Sequence, residues 1–392
     1  MLRALLFSIC IVVITTAHGQ LSETADISIL TCGPSNGELY AAFGHTAIHI
    51  KDSVTGINIV CDYGAFDFEQ TNFYWNFAKG FLNYKFIIEE YEPFKRAYIT
   101  ENRYVHESYL DLTGDQKQKL YSYLQQNSLP QNREYRYDYF YNNCSTKIRD
   151  ALVVAMKGEV QFVLPKEIGT ENTFRSLTDV YLKNHPWSDL GIDICLGAPS
   201  EQKVNGMEYM FLPANLELAL DHAMINTGGS DRKLVHHKTI WFDPNDQSYR
   251  PGSAPLITLC VVLAIAVMIT LYDFKRGTIS YWFDAILLVI TGLIGFLLLF
   301  LWFGTDHKAT AGNLNLVWAL PTNFFMAFVL KKTWTWIRFY FLGVALLSGT
   351  FLLLWNWLPQ DLNTALLPLI AALFIRAIAQ GLQNRKRSNN SI

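Results

Sequence analysis

Phe43-Gly44-His45-Thr46-Ala47-Ile48-His49-Ile50 alternates side-chain character with a period of two. That is a strand pattern, with Thr46, Ile48 and Ile50 on one face and His45, Ala47 and His49 on the other. Residues 52–56 follow as a turn signal. Residues 56–63 form a second strand, in which Ile57, Ile59, Cys61 and Tyr63 lie opposite Asn58, Val60 and Asp62. Together they predict a hairpin, and a hairpin sets Asp62 beside the histidine strand. Upstream, residues 25–31 repeat the alternation through Ile27, Ile29 and Thr31.

Helical periodicity appears further along the chain. Residues 70–81 place Phe73, Phe77 and Phe81 at four-residue spacing. Thr113-Gly114-Asp115-Gln116 is a capping box opening a helix over 116–126. Asn142-Asn143 marks the start of a helix over 144–156, with Ile148, Leu152 and Met156 on one face. Residues 213–225 read as a further helix and 245–255 as a linker. The mixture of elements defines an α+β domain.

After Pro255 the character changes. The 392-residue chain is 51% hydrophobic and only 17% charged, below the share of about 25% usual in soluble domains, and the deficit falls almost entirely in this last third. Five apolar stretches, at 255–272, 282–303, 314–330, 339–358 and 364–379, predict an all-α transmembrane bundle. Lys275 and Arg276, then Lys331, Lys332 and Arg338, then Arg385, Lys386 and Arg387 fall in alternate connections. By the positive-inside rule those connections face the cytoplasm, so the N-terminal domain lies outside it. Residues 1–19 read as a signal peptide, with Arg3 as the basic start, an apolar run and small residues at Ala17 and Gly19. The expected organisation is a signal peptide at 1–19, a periplasmic domain at 20–250, a transmembrane domain at 255–380 and a basic cytoplasmic tail at 381–392. The polar segment from Thr305 to Asn315 reads either as an interfacial loop or as a lipid-headgroup edge, with His307 and Trp318 as candidate binding residues.

A net charge of −2 gives no electrostatic case for nucleic-acid binding. No zinc motif, phosphate loop or dinucleotide fingerprint is present, and no cofactor is expected. In an oxidising compartment Cys32, Cys61 and Cys195 are candidates for a disulfide, with the pairing open.

Cys144 is the leading candidate nucleophile. A helix N-terminus favours a thiolate, and Lys147 and Arg149 add positive charge. His45 is the candidate base, and the orienting third group is Asp62 or His49.

Phe43-Gly44-His45-Thr46-Ala47-Ile48, Tyr63-Gly64-Ala65-Phe66-Asp67-Phe68 and Arg136-Tyr137-Asp138-Tyr139-Phe140-Tyr141-Asn142-Asn143-Cys144 resemble the Lnb family of bacterial lipoprotein N-acyltransferases. Gly191-Ile192-Asp193, Leu196-Gly197-Ala198-Pro199 and the five-span tail extend that resemblance over essentially the whole mature chain. It implies a permuted papain-like domain, similar to NlpC/P60 and lecithin–retinol acyltransferase-like enzymes, in which the histidine strand precedes an Asn-Cys pair opening the helix. It also implies an inner-membrane enzyme. A phospholipid acyl group would pass through a Cys144 thioester to the α-amine of a diacylglyceryl-cysteine lipoprotein. Asn143, His49, Tyr63, His307 and Trp318 are then the candidate substrate-binding residues. The alternative from another enzyme class is a membrane-tethered cell-wall peptidase.

Overall fold

The computed structural model describes residues 19–389 except 36, 67, 68, 70, 82, 166–170, 205, 228 and 245–251. The expected signal peptide, apart from Gly19, and most of the expected linker therefore lie outside the described residues.

The hairpin forms as the alternation predicts. Strand β1 (Asp26–Cys32) pairs with β2 (His45–Asp52), and β2 pairs with β3 (Ile57–Ala65), with Ala47 opposite Asp62. A short helix α1 (Phe73–Ala78), shorter than the periodicity over 70–81 suggests, leads into β4 (Asn83–Glu90). Helix α2 (Tyr91–Thr100), strand β5 (Val105–Leu110), helix α3 (Gly114–Ser128) and strand β6 (Glu134–Arg136) follow. Helix α4 (Cys144–Ala155), strand β7 (Val160–Gln161) and helices α5 (Phe174–Leu182), α6 (Pro186–Cys195) and α7 (Pro213–His222) come next. Strands β8 (Met224–Thr227), β9 (Ser230–Lys233) and β10 (Val235–Phe242) complete the α+β domain. Its main sheet is antiparallel, in the order β10-β5-β1-β2-β3-β4-β6.

The two faces of this sheet do different work. Ile27, Ile29, Ile48, Ile50, Cys61 and Tyr63 point one way, into a core shared with Leu120, Leu124, Ile148 and Leu152 of α3 and α4. Leu30, Cys32, Ala47 and Val60 point the other way, against Tyr91 and Phe94 of α2. Cys32 and Cys61 thus lie on opposite faces, and every described cysteine is free. The capping box at Thr113 and Gln116 forms, and Asn143 and Thr146 make a second one.

Beyond the sheet domain lie helices α8 (Ala254–Arg276), α9 (Tyr281–Phe303), α10 (Thr322–Val329), α11 (Thr335–Leu353) and α12 (Leu366–Asn389). Three of them, α8, α9 and α11, are long and apolar enough to cross a membrane. The third expected span, 314–330, is not one helix. A 3-10 turn at Leu314–Val317 is followed by Pro321 and only then by α10. The basic tail is not a separate element either, because α12 continues through it to Asn389. Gly292 and Gly295 of α9 admit the backbones of Phe324 and Ala319, which a Cβ would meet at 2.3 and 2.1 Å. Arg376 of α12 ties three helices together: it donates to Asp284 of α9 and to Asp273 and Thr270 of α8, all buried.

The polar segment after α9 turns toward the sheet domain. Asp306 N–H donates to the Lys79 carbonyl at 2.8 Å, and Gly197 N–H donates to the Ala309 carbonyl at 2.8 Å. Asn313 and Asn315 donate to the carbonyl of Ile194, and Gln360 donates to that of Leu196. Gly197 is required there, because a Cβ would lie 2.0 Å from the Ala311 oxygen. This segment is a docking surface, so the headgroup-edge reading of 305–315 is corrected: its polar atoms serve the exported domain's backbone. Trp318 is likewise no interfacial belt residue. It is 1% exposed, and its indole N–H is bonded to Asn315 Oδ1.

The docking puts the 305–315 segment on the same side as the sheet domain, which the expected topology makes periplasmic. Cysteines introduced at residues 308 and 312 should react with an impermeant maleimide only from the periplasmic side. Cysteines at residues 332 and 335 should react only after the inner membrane is opened. Labelling in the reverse pattern would overturn the arrangement.

Candidate active site

The site is built at the end of the sheet where β2 begins. Asn143 sets its position. Its Oδ1 accepts from Thr146 N–H at 3.0 Å, and its Nδ2 donates to the carbonyls of Tyr139 and Phe211 at 2.7 and 2.8 Å. Its own N–H donates to Thr146 Oγ1. The start of α4 is therefore held from both flanks, and Ser145 Oγ lies 3.2 Å from Thr46 Oγ1 of β2. Asn143 is thus a capping residue, 3% exposed, and not a group facing substrate. The capping box satisfies the amides of Asn143 and Thr146. The amides of Cys144 and Ser145 have no intrahelical acceptor.

Cys144 meets His45 here. Gly64, at φ +133°, is the third wall, because a Cβ on it would lie 3.3 Å from His45 Cε1 and 3.8 Å from Cys144 Cβ. His45 Nε2 is 2.6 Å from Asp62 Oδ1. The register explains this contact. Asp62 stands opposite Ala47, on the face His45 shares, so the carboxylate is the diagonal neighbour of the imidazole. The ring stacks on Tyr98 at 6.2 Å and lies near Phe94. With Nε2 on Asp62, Nδ1 is left for the thiol.

The electrostatics follow from this geometry. Burial acts to lower the His45 pKa, but the Asp62 carboxylate and the Cys144 sulfur beside it raise it well above the ordinary value. Burial acts to raise Cys144, but the His45 imidazolium and a hydrogen bond from the Thr46 backbone N–H hold the thiol below its usual range. Both shifts favour the thiolate–imidazolium form of the pair over the neutral one. His45 and Asp62 keep side-chain exposures of 16% and 11%, so reagents can reach them. A cleft of about 570 Å³ opens on the Asp62 side, lined among others by Glu38, Tyr40, Glu89, Tyr98 and Arg103.

Three expected binding residues belong elsewhere. His49 lies four residues along the same face, deeper in the sheet. It is 3% exposed, bonded to Glu107 at 2.6 Å and to Asn58 at 2.8 Å, and stacked on Tyr91. Glu107 also accepts from Ser28, Tyr91 and Trp241, so His49 is neither the third group nor a substrate contact but part of a buried polar network. Tyr63 points into the α3–α4 core at 2% exposure. Strand parity excludes it, because Asp62 and Tyr63 face opposite ways. His307 lies on the docking loop, with Nε2 3.1 Å from the Phe77 carbonyl.

Among the described residues, one carboxylate group, Asp179, Asp189 and Asp193, has metal-ligand spacing. The oxygens of Asp193 are already engaged by Arg175 and Asn363. Burial and neighbouring carboxylates push Asp179 up to about 8 and Asp189 up to about 6. The Arg175 guanidinium and the raised values of Asp179 and Asp189 offset part of the charge of this group.

An activated thiol on an exported α+β domain, docked on apolar helices long enough to span a bilayer, defines the class: a membrane-tethered thiol–imidazole protein. The comparisons give the family. Residues 21–179 match the Lnb N-terminal periplasmic domain, and residues 246–388 match the Lnb transmembrane domain. The chain belongs to the Lnb family. No curated protein and no solved structure gives a match.

Alkylation of Cys144 by iodoacetamide, read by mass spectrometry of its peptide, should persist below the ordinary thiol range near pH ~8.5. The thiolate is the reactive species. With a depressed pKa it survives as pH falls, until it is protonated below that value. His45→Ala and Asp62→Asn should both move the half-point upward, toward the ordinary thiol value, with the larger shift for His45→Ala. A half-point unchanged in both variants would show that the pair does not set the reactivity.

Proposed function

We propose that the chain is a lipoprotein N-acyltransferase working through a thioester on Cys144. The observation that carries this reading is the Cys144–His45–Asp62 constellation on a domain docked against apolar helices long enough to span a bilayer, which suits two lipid-anchored substrates. In the first half, the Cys144 thiolate attacks an ester carbonyl of a membrane phospholipid. The C–S bond forms and the ester C–O bond breaks. His45 gives its proton to the leaving glycerol oxygen, and a lysophospholipid departs. In the second half, the α-amine of a diacylglyceryl-cysteine attacks the thioester. His45, now neutral, accepts the amine proton, the C–N bond forms, and the C–S bond breaks to restore the thiolate.

Asp62 holds the imidazole in the required tautomer and steadies its charge. The Cys144 and Ser145 amides, at the positive end of α4, are placed to stabilise the oxyanion of each tetrahedral intermediate. The cleft on the Asp62 side gives the acceptor amine its own approach, with Glu38 and Glu89 favouring a cationic group there.

Cys144→Ala and His45→Ala should abolish N-acylation of lipoproteins in cells, read by mass spectrometry of their N-termini, while protein level and membrane insertion stay normal. Normal acylation in either variant would overturn the mechanism. Purified wild-type protein given phospholipid without acceptor should gain one acyl mass, lost in Cys144→Ser and on hydroxylamine treatment, and should release lysophospholipid. Neither adduct nor lysophospholipid from folded protein, with cleavage of purified cell-wall peptides instead, would establish a peptidase.

A further inference from the structure

A run of aromatic rings leads from the Cys144 site to the membrane domain. Tyr84 and Tyr137 stack at 4.2 Å, and Tyr84 lies 5.2 Å from Phe66. Tyr84 precedes Lys85, which pairs across the sheet with Ala65, the residue after the Gly64 that walls His45 and Cys144. Phe66 stacks on Phe73, at the start of α1. On the same short helix Tyr74, Trp75 and Phe77 are 79%, 56% and 50% exposed, an unusual concentration of exposed rings.

Their height in the bilayer follows from their neighbours. Trp75 stacks on Phe300 of α9 at 6.5 Å. Phe300 is three residues short of the helix end at Phe303, about 4.5 Å below it at 1.5 Å per residue. Trp302 and Phe303 form the aromatic end of that span. Lys79 sits 4.9 Å over the Trp75 ring, a cation close to the aromatic end of that span. Gly80 and Asp306 fix this height, because a Cβ at Gly80 would meet His307 N at 2.9 Å. The rings are therefore continuous with the membrane-facing surface of α9 on the exported side.

We propose that α1 is immersed in the outer leaflet and that the aromatic run is the track along which a phospholipid acyl chain reaches Cys144 from the side, without leaving the bilayer. The proposal rests on the acyltransfer reading and adds to it the route of the donor. Apolar and aromatic contact favours the chain over water along the whole path, and Lys79 retains the phosphate at the rim. The ester, which joins chain to headgroup, is then the part of the lipid drawn toward the thiolate.

The test uses full-length Cys144→Ser protein in phosphatidylethanolamine–phosphatidylglycerol bilayers. One sample contains a phosphatidylethanolamine with a diazirine on an acyl carbon near the ester, and a parallel sample contains a diacylated lipopeptide with the same probe. After irradiation, peptide mass spectrometry should find phospholipid adducts on residues 71–81 and on Tyr84 or Tyr137. In a Trp75→Ser, Phe77→Ser variant the adducts on Tyr84 and Tyr137 should fall by about tenfold, equivalent to about 1.4 kcal/mol of lost contact. Labelling of α11, whose Leu346 is 70% exposed, should stay constant and serves as the reference for a folded, inserted protein. Labelled α11 without adducts on 71–84, unchanged adducts in the double variant, or adducts from the lipopeptide alone would each overturn the proposal. Because the protein cannot turn over, these outcomes are independent of whether Cys144 carries an acyl group in the wild type.

Discussion

The site depends on how one amide side chain, Asn143, is used up. Three hydrogen bonds to Thr146, Tyr139 and Phe211 exhaust its strong polar contacts and fix where α4 starts. A helix can begin anywhere along an amphipathic run, and a shift of one residue rotates the first side chain by about 100°. The cap removes that freedom. It sets Cys144 at the first helical position, against the first residue of β2, and so turns two elements about one hundred residues apart into a single reacting pair.

Charge then does the rest. Neither a buried thiolate nor a buried imidazolium would persist alone, because each would lose hydration without compensation. Each is the other's counter-ion, with Asp62 and the Thr46 amide supplying the remaining contacts. The same sheet carries a second imidazole–carboxylate pair, His49 and Glu107, with a different outcome. Tyr91, Ser28 and Trp241 close around it, no nucleophile approaches, and the pair serves cohesion of β1, β2, β5 and β10. Position along the strand separates the two roles: His45 is at the strand's open end and His49 is buried deeper in the sheet.

Much of this was readable from side-chain periodicity. Alternation over 46–50 and 56–63 defined the hairpin and set Asp62 beside the histidine strand, and one capping box and an Asn-Asn pair marked the starts of two helices. Periodicity names a face but not a depth, which is why His49 looked equivalent to His45. Tyr63 could have been excluded from parity alone. Strand β5 escaped notice because Glu107, buried with its network, breaks the apolar rhythm of Val105–Leu110. The docking role of 305–315 was beyond reach, because the acceptors of Asn313 and Asn315 lie some 120 residues away on α6. A polar loop next to an apolar span reads the same whether lipid or protein satisfies it.

The Arg376 cluster bears on how the chain is made. Synthesis delivers Asp273 and Asp284 to the bilayer on α8 and α9, but the guanidinium that neutralises them comes 103 and 92 residues later. Until α12 arrives, those two carboxylates lack the guanidinium that joins them in the folded protein. The contact that closes α8 and α9 onto α12 can therefore form only after the last helix is made. A chain that ends before α12 keeps both acidic helices but loses the one side chain that bridges them.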